Sequence, residues 1–155
     1  IAELDLPETA DSETERFNML KTLPFFKDFS EIELWEVLRI SIWGRVPAGT
    51  VLVDEGTTGN FFFVIADGSV SVIKGSKKLS TLGKGHCFGE MCYIRQGALT
   101  RTATIVADTP VTLFKIKADS LHKASENCQL RFNRSFMNIL VDRLAQATSE
   151  LAHVY

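Results

Sequence analysis

Gly85-His86-Cys87-Phe88-Gly89-Glu90-Met91-Cys92-Tyr93-Ile94, continued by Leu99-Thr100-Arg101-Thr102-Ala103-Thr104, is the stretch around which the rest of the chain is read. Glycines at 85 and 89 flank a short run that opens into a single helical turn. Glycine permits backbone conformations and close approaches that a Cβ would forbid. A turn starting just after Gly89 aims the first N–H groups of Glu90, Met91 and Cys92 at one spot, which suits an anion. Arg101 follows with a planar fork of donors, the geometry that grips a phosphate in bidentate fashion. Glu90 repels phosphate and is better placed to accept from a hydroxyl, as carboxylates do from ribose. A sugar-hydroxyl acceptor beside a cluster of phosphate donors describes a small phosphorylated sugar ligand.

Outward from this segment, the apolar pattern has a period of two from Ile40 onward and turn signals recur. Ile40–Val46 ends at Pro47-Ala48-Gly49, and Thr50–Asp54 ends at Glu55-Gly56-Thr57-Thr58-Gly59. Phe61–Ala66 ends at Asp67-Gly68, the strongest hairpin signal in the chain. Ser69–Lys74 ends at Gly75-Ser76 and Lys78–Leu82 at Gly83-Lys84-Gly85; beyond the central segment come Ala103–Asp108 and Val111–Lys117. Short, regularly spaced strands with glycine-centred turns predict a mainly β fold, an eight-stranded jelly-roll (double-stranded β-helix) sandwich. Small sandwiches hold ligands between their sheets, so Val72 and Leu82 are candidates to line the sugar and base. Taken singly, each reads equally well as an ordinary core residue.

Helices flank the sandwich. Residues 1–13 are acidic and aperiodic, the pattern of a flexible leader. One domain is expected over 14–155, with a helical lead-in at 14–39, the sandwich at 40–117 and helices at 118–155. A helix from Glu13 to Lys21 would turn Phe17 and Leu20 inward. Leu23-Pro24-Phe25-Phe26 suits a 3₁₀ turn on the core, since proline interrupts a longer helix. Ser30 with Glu33 forms a capping box for a helix through Arg39, with Ile32, Trp35 and Leu38 on one face. Ala118–Glu126 reads as a short helix, and Asn127 to about Val154 as one long helix without Pro or Gly. Leu130, Met137, Leu144 and Leu151 recur every seven residues, interleaved with Leu140, Ala147 and Val154, which is the seam of a coiled coil with Asn133 as its polar member. Phe132, Phe136, Ile139 and Arg143 make a second stripe suited to lie on the sandwich.

Composition narrows the classes. A length of 155 residues suits one domain with a real core. No apolar run approaches the roughly 18 residues of a membrane span, and Phe61–Ala66 is the longest block. A net charge of −2 argues against a dedicated nucleic-acid surface. Residues 1–36 hold ten of the 19 acids and three of the 17 bases, so the remainder is basic and fits an anionic ligand. Cys87, Cys92 and Cys128 have no CxxC spacing and read as reduced thiols of a cytoplasmic protein.

Phe88-Gly89-Glu90-Met91-Cys92 followed by Arg101-Thr102-Ala103-Thr104 resembles the phosphate-binding cassette of cyclic-nucleotide-binding domains. These domains occur in kinase regulatory subunits, the bacterial catabolite activator protein and cyclic-nucleotide-gated channels. The helical lead-in and the run from Gly59 to Val72 are similar to the same family. The resemblance implies a cAMP or cGMP ligand and no other cofactor. It assigns the phosphate to Arg101 and to backbone N–H groups of Gly89, Met91, Cys92 and Thr102, and the ribose 2′-OH to Glu90. The long helix becomes a lid, with Thr148 resembling a base contact of the bacterial activator. Thr102 matches the cGMP-binding kinases, whose hydroxyl accepts from the guanine 2-amino group. Two positions depart from the pattern: Thr100 stands where many members have proline, and the loop Ile94–Leu99 is slightly long. Transcription factors of the family carry a DNA-reading domain after the long helix, and these residues include no such element, so any output is expected outside them.

A binding domain and not an enzyme is therefore expected. A metal-dependent enzyme on this sandwich would need clustered ligands, whereas His86, His122 and His153 are far apart in sequence. The remaining alternative is a sandwich that serves as a dimerisation or docking module without ligand. Leaving one leucine stripe in water is unfavourable for a monomer, which predicts a parallel homodimer through the long helix.

Overall fold

The computed structural model of the chain describes residues 12–95 and 99–154, with side chains described for 12–95 and 100–147. The expected leader therefore lies largely outside the described residues, as do the side chains of Thr148, Leu151 and Val154. Helix α1 (Glu13–Thr22) is capped by Ser12, whose hydroxyl accepts from the Glu15 N–H, and it buries Phe17 and Leu20 as expected. Pro24–Phe26 is a 3₁₀ turn. Helix α2 (Glu31–Ile40) opens on the expected Ser30/Glu33 capping box.

The face that α2 buries corrects the sequence reading. Ile32 and Trp35 are exposed, at 82% and 42%, while Glu33, Leu34 and Val37 point inward. Glu33 is drawn in by a partner distant in sequence, since its Oε1 accepts from Arg131 Nε at 3.2 Å. Trp35 covers one of its faces by stacking on Phe17, ring centroids 4.4 Å apart.

Among the described residues ten strands follow: β1 (Ser41–Val46), β2 (Val51–Val53), β3 (Thr58–Gly59), β4 (Phe61–Asp67), β5 (Val70–Lys74), β6 (Lys77–Leu82), β7 (Cys87–Phe88), β8 (Leu99–Thr100), β9 (Thr104–Ala107) and β10 (Val111–Lys117). Eight of them form two antiparallel four-stranded sheets, ordered β1-β10-β4-β7 and β2-β9-β5-β6, the expected sandwich. Strands β3 and β8 pair separately, Thr58 opposite Thr100. Both two-residue pieces border the cassette.

Strand β4 explains why Phe61–Ala66 is apolar without alternation. Phe63 and Ile65 enter the core between the sheets, while Phe62, Val64 and Ala66 enter a second core beneath the helices. Strand β10 does the same, with Leu113 on one side and Phe114 and Ile116 on the other. A strand covered on both faces has no polar side to show.

Helices α3 (Met91–Ile94), α4 (Ala118–His122) and α5 (Glu126–Val154) are the other elements of the described residues. The stripe Phe132, Phe136, Ile139 and Arg143 of α5 does lie on the sandwich side. Phe132 and Phe136 are fully buried, and their rings meet Phe25 and Phe62 at 5.3–5.8 Å. The other stripe is open: Leu130, Met137, Leu140 and Leu144 are exposed, and Val141 joins them. Asn133 leaves the seam pattern to accept from the Tyr93 hydroxyl at 3.0 Å. No helix of the described residues is long and apolar enough to cross a membrane.

Candidate functional site

The site is built where β7 runs into α3. Gly89 has φ +79°, a left-handed conformation that glycine adopts without strain. Space gives a second reason for glycine: a Cβ there would sit 2.7 Å from Arg101 Nη1 and 3.1 Å from the Phe61 carbonyl. The missing side chain is what lets Arg101 lie against the turn. Its Nη2 donates to the Phe61 carbonyl at 2.6 Å and its Nη1 to the Gly89 carbonyl at 3.3 Å.

The Arg101 backbone is held with equal care. Its N–H donates to the Thr57 carbonyl at 2.7 Å, and its carbonyl accepts from the Gly56 N–H at 2.8 Å. The Gly56-Thr57 turn therefore serves as the clamp that fixes where Arg101 leaves the chain. The side chain is buried, so this guanidinium is a fixed positive charge in a poorly solvated place. An anion brought to such a group interacts more strongly than at a solvated surface.

Glu90, also buried, is the residue from which α3 starts, and its carbonyl accepts from the N–H groups of Tyr93 and Ile94. Its carboxylate faces the long helix. Arg143 Nη1 donates to Glu90 Oε1 at 2.7 Å, and Arg143 Nη2 donates to the Cys87 carbonyl at 3.3 Å. Arg143 itself remains half exposed. Cys92 lies one turn along, its thiol donating to the Gly89 carbonyl. Burial, with the Glu90 charge added, pushes the Cys87 thiol well above its ordinary range, so this sulfur stays protonated.

These groups line one cavity of about 740 Å³, a size that accepts a small organic ligand. Of the residues singled out from sequence, Gly89, Glu90, Met91, Cys92, Arg101, Thr102, Val72 and Leu82 all lie on its wall. The side chain of Thr148 is outside the described residues. One end of the cavity is polar, with Arg101, Glu90 and Arg143. The other is the β5–β6–β9 wall of Val72, Leu82 and Ile105, on which Ser80 sits directly opposite Val72. A charged end and an apolar wall can hold an anionic head and a flat, less polar body together.

Sequence reasoning missed Arg143 as a member of this site. Its signal was present: Arg143 ends the stripe Phe132, Phe136, Ile139, four residues past Ile139, on the face that meets the sandwich. An arginine closing an apolar stripe lays its stem along apolar surface and carries its charged head to the edge, where Glu90 accepts from it. Val53, Ser80 and Ile105 were missed because strand residues that line a cavity have the same composition as strand residues that fill a core.

A family model described as the cyclic nucleotide-binding domain matches residues 43–128. Among curated proteins, human potassium/sodium hyperpolarization-activated cyclic nucleotide-gated channel 4 is 29% identical over 143 residues, covering 90% of this chain and 12% of the channel. Channel 2 of Mus musculus is 33% identical over 96 residues, 62% of this chain and 11% of the channel. The chain thus spans a small part of the length of these relatives. Among solved structures, a cyclic nucleotide-binding domain from Methylobacillus flagellatus superposes with a TM-score of 0.73 at 23% identity, covering 90% of this chain and 82% of that one. The structure of cAMP-bound PfPKA-R gives a TM-score of 0.69 at 22% identity, over 88% of this chain and 46% of that one. At such identities the structural likeness speaks for the fold, and the matched family model, which takes in more than half of the residues, speaks for the lineage: this chain belongs to the cyclic nucleotide-binding domain family.

Proposed function

We propose that the chain is a cyclic-nucleotide sensor for cAMP, with appreciable cGMP binding, that moves its C-terminal helix in response. One observation carries this reading: the phosphate-suited Arg101, the hydroxyl-suited Glu90 and the helix-borne Arg143 line a single cavity. Arg101 takes the exocyclic phosphate oxygens, with backbone N–H groups of Gly89, Met91, Cys92 and Thr102 completing the cradle. Glu90 accepts from the ribose 2′-OH. Its carboxylate has lone pairs beyond the one given to Arg143, so the lid contact and the sugar contact are compatible. Val72 and Leu82 flank the sugar and base, and Thr148 is the candidate base contact further along the lid.

In this reading α5 responds to ligand because it already touches the residue that recognises the sugar. The output lies outside these residues. The exposed stripe of Leu130, Met137, Val141 and Leu144 supports a parallel homodimer through α5, which would let two lids move together. Three separate buried thiols, all free, suit the reducing cytoplasm.

A second reading, a ligand-independent dimerisation or docking module, is favoured by that same exposed stripe. Titration with fluorescently labelled cAMP separates the two. Saturable binding that is lost in Arg101→Ala supports the sensor. Absence of binding by the folded parent chain supports the docking module.

A further inference from the structure

Helix α5 is tied at several places, and a carboxylate makes the tie at each end of its packed stretch. Glu90 holds it at Arg143. At the other end, Ser125, just before the first helical residue, is held by Glu36 of α2: the Ser125 N–H donates to Glu36 Oε2 at 2.8 Å, and the Ser125 hydroxyl donates to Glu36 Oε1 at 2.6 Å. The same hydroxyl oxygen accepts from the Cys128 N–H at 3.2 Å, the bond of an N-capping serine. A carboxylate at a helix N-terminus also meets the positive end of the helix dipole. Nothing in the binding account uses this cluster.

Glu36 differs from the nearby Glu33, which also reaches α5. Glu33 Oε1 is shared between Arg131 and the N–H of its own helix cap, Ser30, so the geometry of α2 dictates where it points. Both Glu36 oxygens cross to α5. From Ser125 to Arg143 the helix runs about 27 Å at 1.5 Å per residue. Ser135, donating to the Phe25 carbonyl at 2.7 Å, and the buried Phe132 and Phe136 seat the middle of this stretch, so a shift of the first turn pivots the helix about that middle and is felt at Arg143 beyond it.

We propose that Glu36 is a positioning residue for the nucleotide site: by clamping the first turn of α5 it sets where Arg143 meets Glu90, and so connects the N-terminal helices to ligand affinity. The affinity part of this rests on the cyclic-nucleotide reading. The geometric part does not.

Calorimetric titration with cAMP on the full chain tests it, in the parent, Glu36→Gln, Arg143→Ala and the double variant. Glu36→Gln is expected to weaken cAMP about threefold to tenfold where Arg143 is present and to have almost no effect in the Arg143→Ala background, the signature of coupled residues. A merely structural role would give the same loss in both backgrounds, and that result, or no loss at all, overturns the proposal. Should Glu36→Gln fail to fold, Ser125→Ala removes the hydroxyl's bonds to Glu36 and from the Cys128 N–H but keeps the Ser125 N–H bond to Glu36, and it is expected to shift affinity in the same direction. A second measurement needs no nucleotide. With spin labels on Ala147→Cys and Lys84→Cys, pulsed EPR on the ligand-free chain should give a broader distance distribution when Glu36→Gln is added. An unchanged distribution overturns the clamp. If the parent binds no cAMP, the sensor reading falls, and the EPR arm still decides the positioning role.

Discussion

Arg143 Nη1 lies 2.7 Å from Glu90 Oε1, joining the C-terminal helix to the cassette carboxylate across 53 residues of sequence. The pair is asymmetric: Glu90 is buried, whereas Arg143 is half exposed. Solvent screens the arginine, so the pair itself contributes little to folding stability. Its consequence is positional, since it holds α5 against the carboxylate proposed to accept from the ribose. Arg143→Ala is expected to weaken cyclic-nucleotide binding by about tenfold, or about 1.4 kcal/mol, with little change in melting temperature. Calorimetry and a thermal melt on the same sample check both halves.

Glu90→Gln keeps the shape and removes the charge. Its effect should be smaller than that of losing Arg101, and 2′-deoxy analogues should lose less affinity on this variant than on the parent. A 2′-deoxy penalty of the same size in both would remove Glu90 from the sugar contact.

Gly89→Ala should act on stability and binding together. The left-handed φ strains any side chain, and the new Cβ would meet Arg101 Nη1 at 2.7 Å. A loss of about 1–3 kcal/mol in urea unfolding is expected from the strained backbone, accompanied by weaker nucleotide binding as Arg101 is displaced. An unchanged urea midpoint would show that the turn has another conformation open to it.

Glu36 predicts a pH dependence. Burial alone would raise its pKa, but the hydrogen bonds from Ser125, the Cys128 thiol and the charge of Arg39 outweigh it, so the carboxyl lies below the ordinary 4.5. A depressed carboxyl gives stability that is present above the unfolded value and lost as pH falls through the folded one. The parent should therefore lose more stability than Glu36→Gln as pH is lowered below about 4.5. Urea midpoints measured at neutral and acid pH for both chains test this, and parallel curves would contradict it.

Much of this architecture is legible in the sequence because local chemistry decides it. The Ser30/Glu33 box, the Pro24 turn and the glycine-centred strand ends are each set by residues within a few positions of one another. The buried face of α2 was not legible, because Glu33 turns inward for Arg131, 98 residues away. The two-residue strands β3, β7 and β8 are too short for periodicity to register. Val141 escaped the heptad count because the exposed face of α5 runs obliquely to the strict seven-residue repeat. On the cavity wall, residue types with one chemical use, Arg101 and Glu90 beside Gly89, are readable as candidates. Those defined by what packs against them, Arg143, Ser80 and Ile105, needed the fold.

The open stripe of α5 gives an assembly prediction. The parent chain should be a dimer at tens of micromolar, and replacing Leu144 and Leu151 with Lys should yield monomers in light scattering while the sandwich stays folded. Val141→Lys should act in the same direction, since Val141 is as open as its neighbours. A parent chain already monomeric at that concentration would sink the seam.

Ligand choice turns on Thr102, which lies on the cavity wall. If its hydroxyl accepts from the guanine 2-amino group, Thr102→Ala should reduce cGMP affinity more than cAMP affinity. Equal losses for the two nucleotides would remove that hydrogen bond from the account.

The central claim is that Arg101 is the fixed countercharge for a cyclic phosphate, and calorimetric titration of cAMP into the parent and Arg101→Ala tests it most directly. Removing the buried partner of a bound anion is expected to cost about 2–4 kcal/mol, a loss of roughly thirtyfold to a thousandfold in affinity. A loss of less than about tenfold, with the variant folded, would contradict the assignment of Arg101 to the phosphate.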